Sequence, residues 1–239
     1  MYINFAEVME DPFEFVKQRI INAPVMEDPY PHILIDEIFP TQFYDELIKN
    51  IPSIQEYTAK PKYPGRKTLT LDNFDNLEEE KRHFWEKMDK WIKSEEFTEL
   101  LLNKYSIEKK GYSDYFLHKD LEDYEVTPHV DVRSKLVTYL FYLPKDDSLP
   151  ELGTSVLVPK QGVKIESTTK HQDWEDFDIV KESKYIPNSF FSFTPCENSF
   201  HAVKIRFPPE NIIKERDTIR GFVFDKKKSD YPDYLFNKN

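Results

Sequence analysis

The chain has 239 residues and a formal net charge of −11; aromatic residues reach 15% although hydrophobic residues total only 39%. Five glycines against seventeen prolines, with no G-x-G-x-x-G and no Walker loop, exclude a glycine-rich phosphate cradle. The acidic balance argues against passive binding to nucleic acid or anionic lipid, and the single cysteine, Cys196, cannot form an internal disulfide. Met1–Glu10 lacks the basic start and apolar run of a signal peptide, and no apolar stretch approaches a membrane span, so the expected setting is cytoplasmic.

Helical spacing dominates the first half. Asp11-Pro12 supplies a cap and a first-turn proline, and Phe13, Val16, Ile20 and Ile21 follow at helical intervals. His32–Asp36 is short and β-branched, as a strand should be. Pro40–Ile51 returns to helix, with Phe43, Leu47 and Ile48 on one face. Lys60–Asn76, with Pro61, Pro64 and Gly65, is expected to be mostly loop, and its Tyr63, Arg66 and Lys67 make it a candidate substrate lid. From Leu77, acidic residues crowd a first turn, and Phe84, Trp85, Met88, Trp91 and Ile92 recur at helical spacing, a stripe that reads as core. A further helix is expected over about Glu95–Tyr105.

The period then changes. Tyr112–Leu117, Lys135–Leu143, Gly153–Val158, Val163–Thr169, Ser189–Thr194, His201–Arg206 and Arg216–Phe224 are short, rich in Val, Thr, Phe and Tyr, and separated by Pro, Asp and Gly. Many short strands at this spacing predict a sandwich, barrel or jelly roll. The expected organisation is α+β in one domain over 1–239, with residues 1–110 mainly helical support and 111–226 a β-core.

The motif that carries chemistry is Pro128-His129-Val130-Asp131. In extended chain His129 and Asp131 point to one face, and His201 lies on a separate predicted strand. Two imidazoles and one carboxylate form the facial set that holds non-haem iron(II) and leaves positions open for a chelating 2-oxo acid and dioxygen. His-x-Asp alone is a common chance match; the ordered segments around it give it weight. They are Lys135-Leu-Val-Thr-Tyr-Leu-Phe-Tyr-Leu-Pro144, Gly153-Thr-Ser-Val-Leu-Val158, Pro187-Asn-Ser-Phe-Phe-Ser-Phe193, Ser199-Phe-His-Ala-Val203 and Arg216-Asp-Thr-Ile-Arg-Gly-Phe222.

Over roughly Tyr112–Asp225 this series resembles the prolyl 4-hydroxylase-like branch of the iron(II)- and 2-oxoglutarate-dependent oxygenases, and Tyr30–Asp36 with Phe39–Leu47 resembles that family's N-terminal strand and helix. The resemblance implies a double-stranded β-helix (jelly-roll) core and iron(II) on His129, Asp131 and His201. It also implies 2-oxoglutarate and dioxygen as co-substrates, ascorbate as a candidate reductant, and release of succinate and carbon dioxide as a C–H bond is hydroxylated. The family's basic residue for the far carboxylate falls on Arg216. A guanidinium fork suits that carboxylate, Thr218 shares its strand face, and Arg220 is the rival on the same face. His201 and Arg216 stand fifteen residues apart, so Phe207–Asn211 is expected to form a loop before the arginine strand. Tyr115, Tyr139 and Tyr142 lie on strands expected near the co-substrate, and Tyr139 is the candidate whose hydroxyl reaches it. His32, His83 and His171 read as surface or packing residues, His118 as structural, and Cys196 as an unactivated thiol.

The implied substrate is a peptidyl proline, another protein side chain or a small molecule; no nucleic acid or membrane partner is expected. Two other readings stay open on the residues alone: a non-catalytic jelly-roll binding or structural module, and a cupin-like iron enzyme that does not use 2-oxoglutarate.

Overall fold

The computed structural model describes residues 11–165, 170–211 and 214–226. The expectation for Met1–Glu10 lies outside these residues, as does the second half of the strand expected over Val163–Thr169; residues 163–165 are not in a strand. Among the described residues no helix is long and apolar enough to cross a membrane.

Four α-helices form where the periodicity places them: α1 (Pro12–Asn22), α2 (Thr41–Lys49), α3 (Glu79–Ile92) and α4 (Glu95–Lys104). The starts of α1 and α4 are capped. Asp11 accepts from the Phe13 amide at 2.9 Å, and Ser94 accepts from Phe97 at 3.1 Å, each satisfying a donor the helix leaves unpaired. The strands are β1 (His32–Ile35), β2 (Thr58–Ala59), β3 (Arg66–Leu69), β4 (Gly111–Asp120), β5 (Glu125–His129), β6 (Lys135–Tyr142), β7 (Thr154–Pro159), β8 (Phe177–Ser183), β9 (Ser189–Phe193), β10 (His201–Lys204) and β11 (Arg216–Asp225).

They build two antiparallel sheets, a seven-stranded one ordered β1-β9-β6-β11-β4-β3-β2 and a four-stranded one ordered β5-β10-β7-β8. The larger sheet is covered on both faces. One face meets the helices: Val16, Ile20, Trp85, Met88, Phe97 and Leu101 pack with Tyr115, Val137, Tyr139, Phe141, Phe190 and Ile219. The other meets the smaller sheet, with Leu140, Tyr142, Phe191 and Phe193 against Val126, Val156 and Val203. The candidate metal ligands lie between the two sheets.

Two expectations need correction. Lys60–Asn76 is not loop throughout: β2 and β3 form a hairpin whose second strand pairs along β4, with Arg66 opposite Asp120 and Thr68 opposite His118. Pro64 and Gly65 mark only the turn, with Gly65 at φ +80, and the alternating polar residues after it are drawn inward by buried partners. The second correction concerns Tyr139. It projects into the helix-facing core, where its hydroxyl shares a 2.7 Å hydrogen bond with Ser113.

Tyr139 lies opposite Gly221, and a Cβ built at Gly221 would come within 2.1 Å of the Tyr139 ring. Gly221→Ala is therefore expected to destabilise the protein by about 1–3 kcal/mol through overpacking. Urea unfolding of Gly221→Ala, Tyr139→Leu and the double variant checks this. The double variant should lose less than the sum of the two single losses; additive losses would show that the ring contact is not the cause.

Candidate metal centre

His129 ends β5 and His201 begins β10, and the strand register sets them directly opposite one another, with ring centroids 4.4 Å apart. The Nδ1 of each ring faces a backbone carbonyl two residues upstream, Thr127 at 2.9 Å and Ser199 at 3.0 Å. A carbonyl only accepts, so Nδ1 carries the proton and each Nε2 presents its lone pair. His201 Nε2 is buried without a hydrogen-bond partner.

Asp131 lies just beyond β5 and reaches across to the larger sheet. Its Oδ2 accepts from Thr138 on β6 at 2.6 Å and its Oδ1 from Lys135 at 2.5 Å; Oδ2 also lies 3.8 Å from His201 Nε2. One ligand atom from each of His129, Asp131 and His201 falls within 4.8 Å of the others, and all three side chains are buried. The structure thus brings together the three residues that the motif singles out.

The electrostatics suit a cation. Burial would raise the Asp131 carboxyl, but Lys135 foremost, then His201, Arg220 and His129, hold it well below the usual carboxylate range. Burial lowers both imidazoles, with His201 adding to the effect at His129 and Asp131 opposing it at His201. The site is therefore an anion and two neutral nitrogen donors at neutral pH, a donor set that fits a divalent transition metal. Burial also lowers Lys135 to about 8, against the pull of Asp131.

From the metal site a narrow cleft with a cavity volume of about 30 Å³ runs between the sheets, lined by Arg66, Val126, Leu140, Thr154, Arg216 and Arg220 among others. Arg216, 1% exposed, is held on two sides: Nε donates to the Leu152 carbonyl at 2.5 Å and Nη1 to Asp120 at 2.7 Å. Asp120 also takes Nε and Nη2 of Arg66 at 2.6 and 2.9 Å, so one buried carboxylate serves two guanidinium groups. That leaves Arg216 Nη2 buried and unpartnered, and Thr218 Oγ1 and the Tyr124 hydroxyl are in the same condition. Arg66 stacks on the Tyr124 ring at 4.1 Å, and burial raises the Tyr124 hydroxyl to about 12, against Arg66, so it stays a donor.

Arg216, Thr218 and Arg220 thus share the cleft face with the metal triad; Tyr139 does not. Tyr142 points inward but its hydroxyl is occupied by Thr154 and Ser183. Tyr124, Arg66 and Asp120 carry no sequence signal of their role, because the hairpin that assembles them is invisible in the pattern. His171 is exposed, as expected of a surface residue, yet it stacks on His129 with centroids 4.7 Å apart and faces Thr127 Oγ1 at 3.2 Å. His118 is buried against Thr68, a structural position.

Because both imidazoles are lowered from 6.5, divalent metal uptake should persist as pH falls through 6.5 and fail only below it. In the metal-free protein the sign is fixed by linkage. The unfolded chain takes up protons first, so stability should fall below pH 6.5 with a slope approaching about 1.4 kcal/mol per histidine per pH unit. Zinc titration calorimetry and urea unfolding across pH 5–7.5 test both; a metal-uptake midpoint above about 6.5 contradicts the burial argument.

No protein-family model matches the chain, and no curated protein matches it. Among solved structures it is similar to a prolyl-4-hydroxylase from Pseudomonas putida, at 12% identity and TM-score 0.51, covering 88% of this chain and 99% of that one. It is also similar to SnoN, a non-haem α-ketoglutarate-dependent epimerase from nogalamycin biosynthesis, at 10% identity and TM-score 0.50, covering 89% of this chain and 80% of that one. At these identities the likeness speaks for the fold. The two facing antiparallel sheets with their helical layer form a jelly-roll core, the fold that the chain shares with these two proteins.

Proposed function

We propose that this chain is an iron(II)- and 2-oxoglutarate-dependent oxygenase that hydroxylates a C–H bond of a peptide side chain or small molecule. The observation that carries this reading is the set of unpartnered buried polar atoms that share the cleft face. His201 Nε2 stands at one end of the cleft, and Arg216 Nη2 with Thr218 Oγ1 stands further along it. Native proteins rarely leave such groups unpaired, since each costs about 1–3 kcal/mol. A metal answers the first, and the far carboxylate of a diacid answers the others. A cupin-like enzyme without 2-oxoglutarate leaves Arg216 and Thr218 unexplained, and a binding module leaves the three ligands unexplained.

In this reading His129, Asp131 and His201 hold iron(II), and Arg216 with Thr218 holds the distal carboxylate of 2-oxoglutarate. Bound iron supplies activation of dioxygen coupled to oxidative decarboxylation of 2-oxoglutarate to succinate and carbon dioxide. The chain's own residues do the positioning. The Thr127 and Ser199 carbonyls fix the two ring tautomers, and Thr138 and Lys135 orient the Asp131 carboxylate. Phe193 packs on His201 at 4.6 Å, and Val126, Leu140 and Val203 line the cleft with apolar surface that limits water. Asp131 fills the ligand position that a halide would need, which favours hydroxylation over halogenation. A reducing cytoplasm suits a ferrous centre, with ascorbate as auxiliary reductant.

The test is an anaerobic titration of metal-free protein with iron(II) and then 2-oxoglutarate, following the visible metal-to-ligand charge-transfer band. The band should form in the wild type and be lost in His129→Ala, Asp131→Ala and His201→Ala. In Arg216→Gln iron should still bind while 2-oxoglutarate affinity falls about 10- to 100-fold, the worth of a charge-assisted pairing. A folded, iron-loaded wild type that gives no band would rule out 2-oxoglutarate and leave the cupin-like reading ahead.

A further inference from the structure

The cleft inverts the charge of the molecule around it. In a chain of net charge −11, four cationic side chains (Arg66, Lys135, Arg216 and Arg220) stand around the cleft and its metal end, and among the described residues they face two carboxylates, Asp120 and Asp131. Three of the four are accounted for. Arg66 and Arg216 share Asp120, and Lys135 is bound to Asp131. Arg220 is different. It is half-buried, and among the described residues it makes no hydrogen bond and no ion pair; the contact it does make is with the Phe222 ring, 5.0 Å from its Cζ.

Its position separates it from the co-substrate's anchor. Lys135 Nζ lies 3.9 Å from the same Phe222 ring while holding Asp131, so Arg220 stands with them at the metal end; Arg216 lies four residues back along β11, beside Asp120 and Leu152. The far carboxylate of a diacid on Arg216 answers the surplus charge of the Arg66–Asp120–Arg216 group. A metal with the chelating carboxylate answers Asp131. Neither answers Arg220. Directly across the strand pair from Arg220 is Phe116, which packs with Phe222 and Phe224 in an aromatic cluster.

We infer that Arg220 is the anchor for an oxyanion group on the substrate, so that the molecule oxidised is an acid with an apolar portion lying toward Phe116 and Phe222, and not a neutral peptide segment. This rests on the co-substrate reading above and deepens it by naming the substrate's chemical class. A half-buried guanidinium beside a metal site, with no protein carboxylate on it, is free to pair with a ligand, and a carboxylate or phosphate pairs with it through two parallel N–H···O bonds.

Ligand-detected saturation-transfer NMR tests this on protein loaded with zinc(II), standing in for iron(II), and 2-oxoglutarate. Phenylacetate and its neutral isostere phenylacetamide serve as probes. In the wild type, phenylacetate should bind about tenfold or more tighter than the amide. Arg220→Lys should keep that preference in part, and Arg220→Gln should abolish it. In Arg220→Gln the co-substrate's own methylene resonances should stay saturated, with affinity within about threefold of wild type. Equal binding of acid and amide, no binding of either at about 10 mM, or a preference that survives in Arg220→Gln would each overturn the inference. So would a loss of 2-oxoglutarate binding in Arg220→Gln as large as in Arg216→Gln, since that assigns Arg220 to the co-substrate. Unsaturated 2-oxoglutarate resonances in the wild type would instead count against the co-substrate reading, and the acid-over-amide preference is scored in the same spectra regardless. Inorganic phosphate and acetate, as competitors of phenylacetate, separate the two sources of the oxyanion: stronger displacement by phosphate points to a phosphorylated substrate, stronger displacement by acetate to a carboxylic acid.

Discussion

Strand β11 runs down the middle of the larger sheet, bonded to β4 on one side and β6 on the other, and its residues alternate between two unlike environments. Arg216, Thr218 and Arg220 face the cleft; Asp217, Ile219 and Gly221 face the other way. Because the period of a strand is two, this alternation cannot be adjusted one residue at a time. The same register that sets Arg216 opposite Asp120 sets Gly221 opposite Tyr139, where only a hydrogen fits. A slip by one residue would drive Arg216 into the helix-facing core and bring a neighbour's side chain onto the Tyr139 ring. Packing on the helical side therefore fixes the register on which the cleft side depends.

How legible this was differs by side chain, and the reasons are physical. His129 and Asp131 were legible because an i, i+2 pair keeps its meaning in any extended segment. His201 and Arg216 were legible because each begins a strand with clear β-branched or aromatic content. Tyr139 was misplaced for a related reason. Lys135–Tyr142 is buried on both faces, so it reads Leu-Val-Thr-Tyr-Leu-Phe-Tyr with no alternation to say which residues face the cleft. Strand β3 was missed because Arg-Lys-Thr-Leu beside Pro and Gly has the composition of a loop. Its strand character comes from Asp120 and His118 across the ladder, partners 54 and 50 residues away. Strand β8 was missed because it is an edge: Asp178, Ile179 and Val180 are exposed, and no apolar stripe survives.

The electrostatics of the cleft follow from how few anions it contains. A buried ion pair repays its desolvation only when the geometry is good and the remaining donors are satisfied. Asp120 meets that condition by accepting from three nitrogens at 2.6–2.9 Å, two from Arg66 and one from Arg216. The pairing is nonetheless short by one charge, since two guanidinium groups share one carboxylate. That deficit has a structural use. If Asp120 were matched by Arg216 alone, the cleft end would be neutral and a ligand carboxylate would have to displace an existing pair. With Arg66 added, the group keeps a net positive charge, and Arg216 Nη2 stays free while Nε and Nη1 hold the guanidinium plane still.

The metal end shows the opposite arrangement. Each Asp131 oxygen is engaged, Oδ1 by Lys135 and Oδ2 by Thr138, while the ring nitrogen left without a partner is His201 Nε2. A hydroxyl on Oδ2 leaves a second lone pair there, and Oδ2 is also the oxygen near His201. Lys135 is the softer of the two holds, since burial has already brought its ammonium down to about 8. A cation arriving between His129, His201 and Oδ2 would compete with that ammonium for the charge of Asp131 without breaking the Thr138 hydrogen bond. The hydroxyl thus preserves the carboxylate's orientation whichever cation it faces. The far end of the cleft keeps its charge by fixed guanidinium groups and the metal end by an ammonium that can be neutralised. The difference matches the function proposed for each end: an anion site that stays charged at one, and a place for a metal at the other.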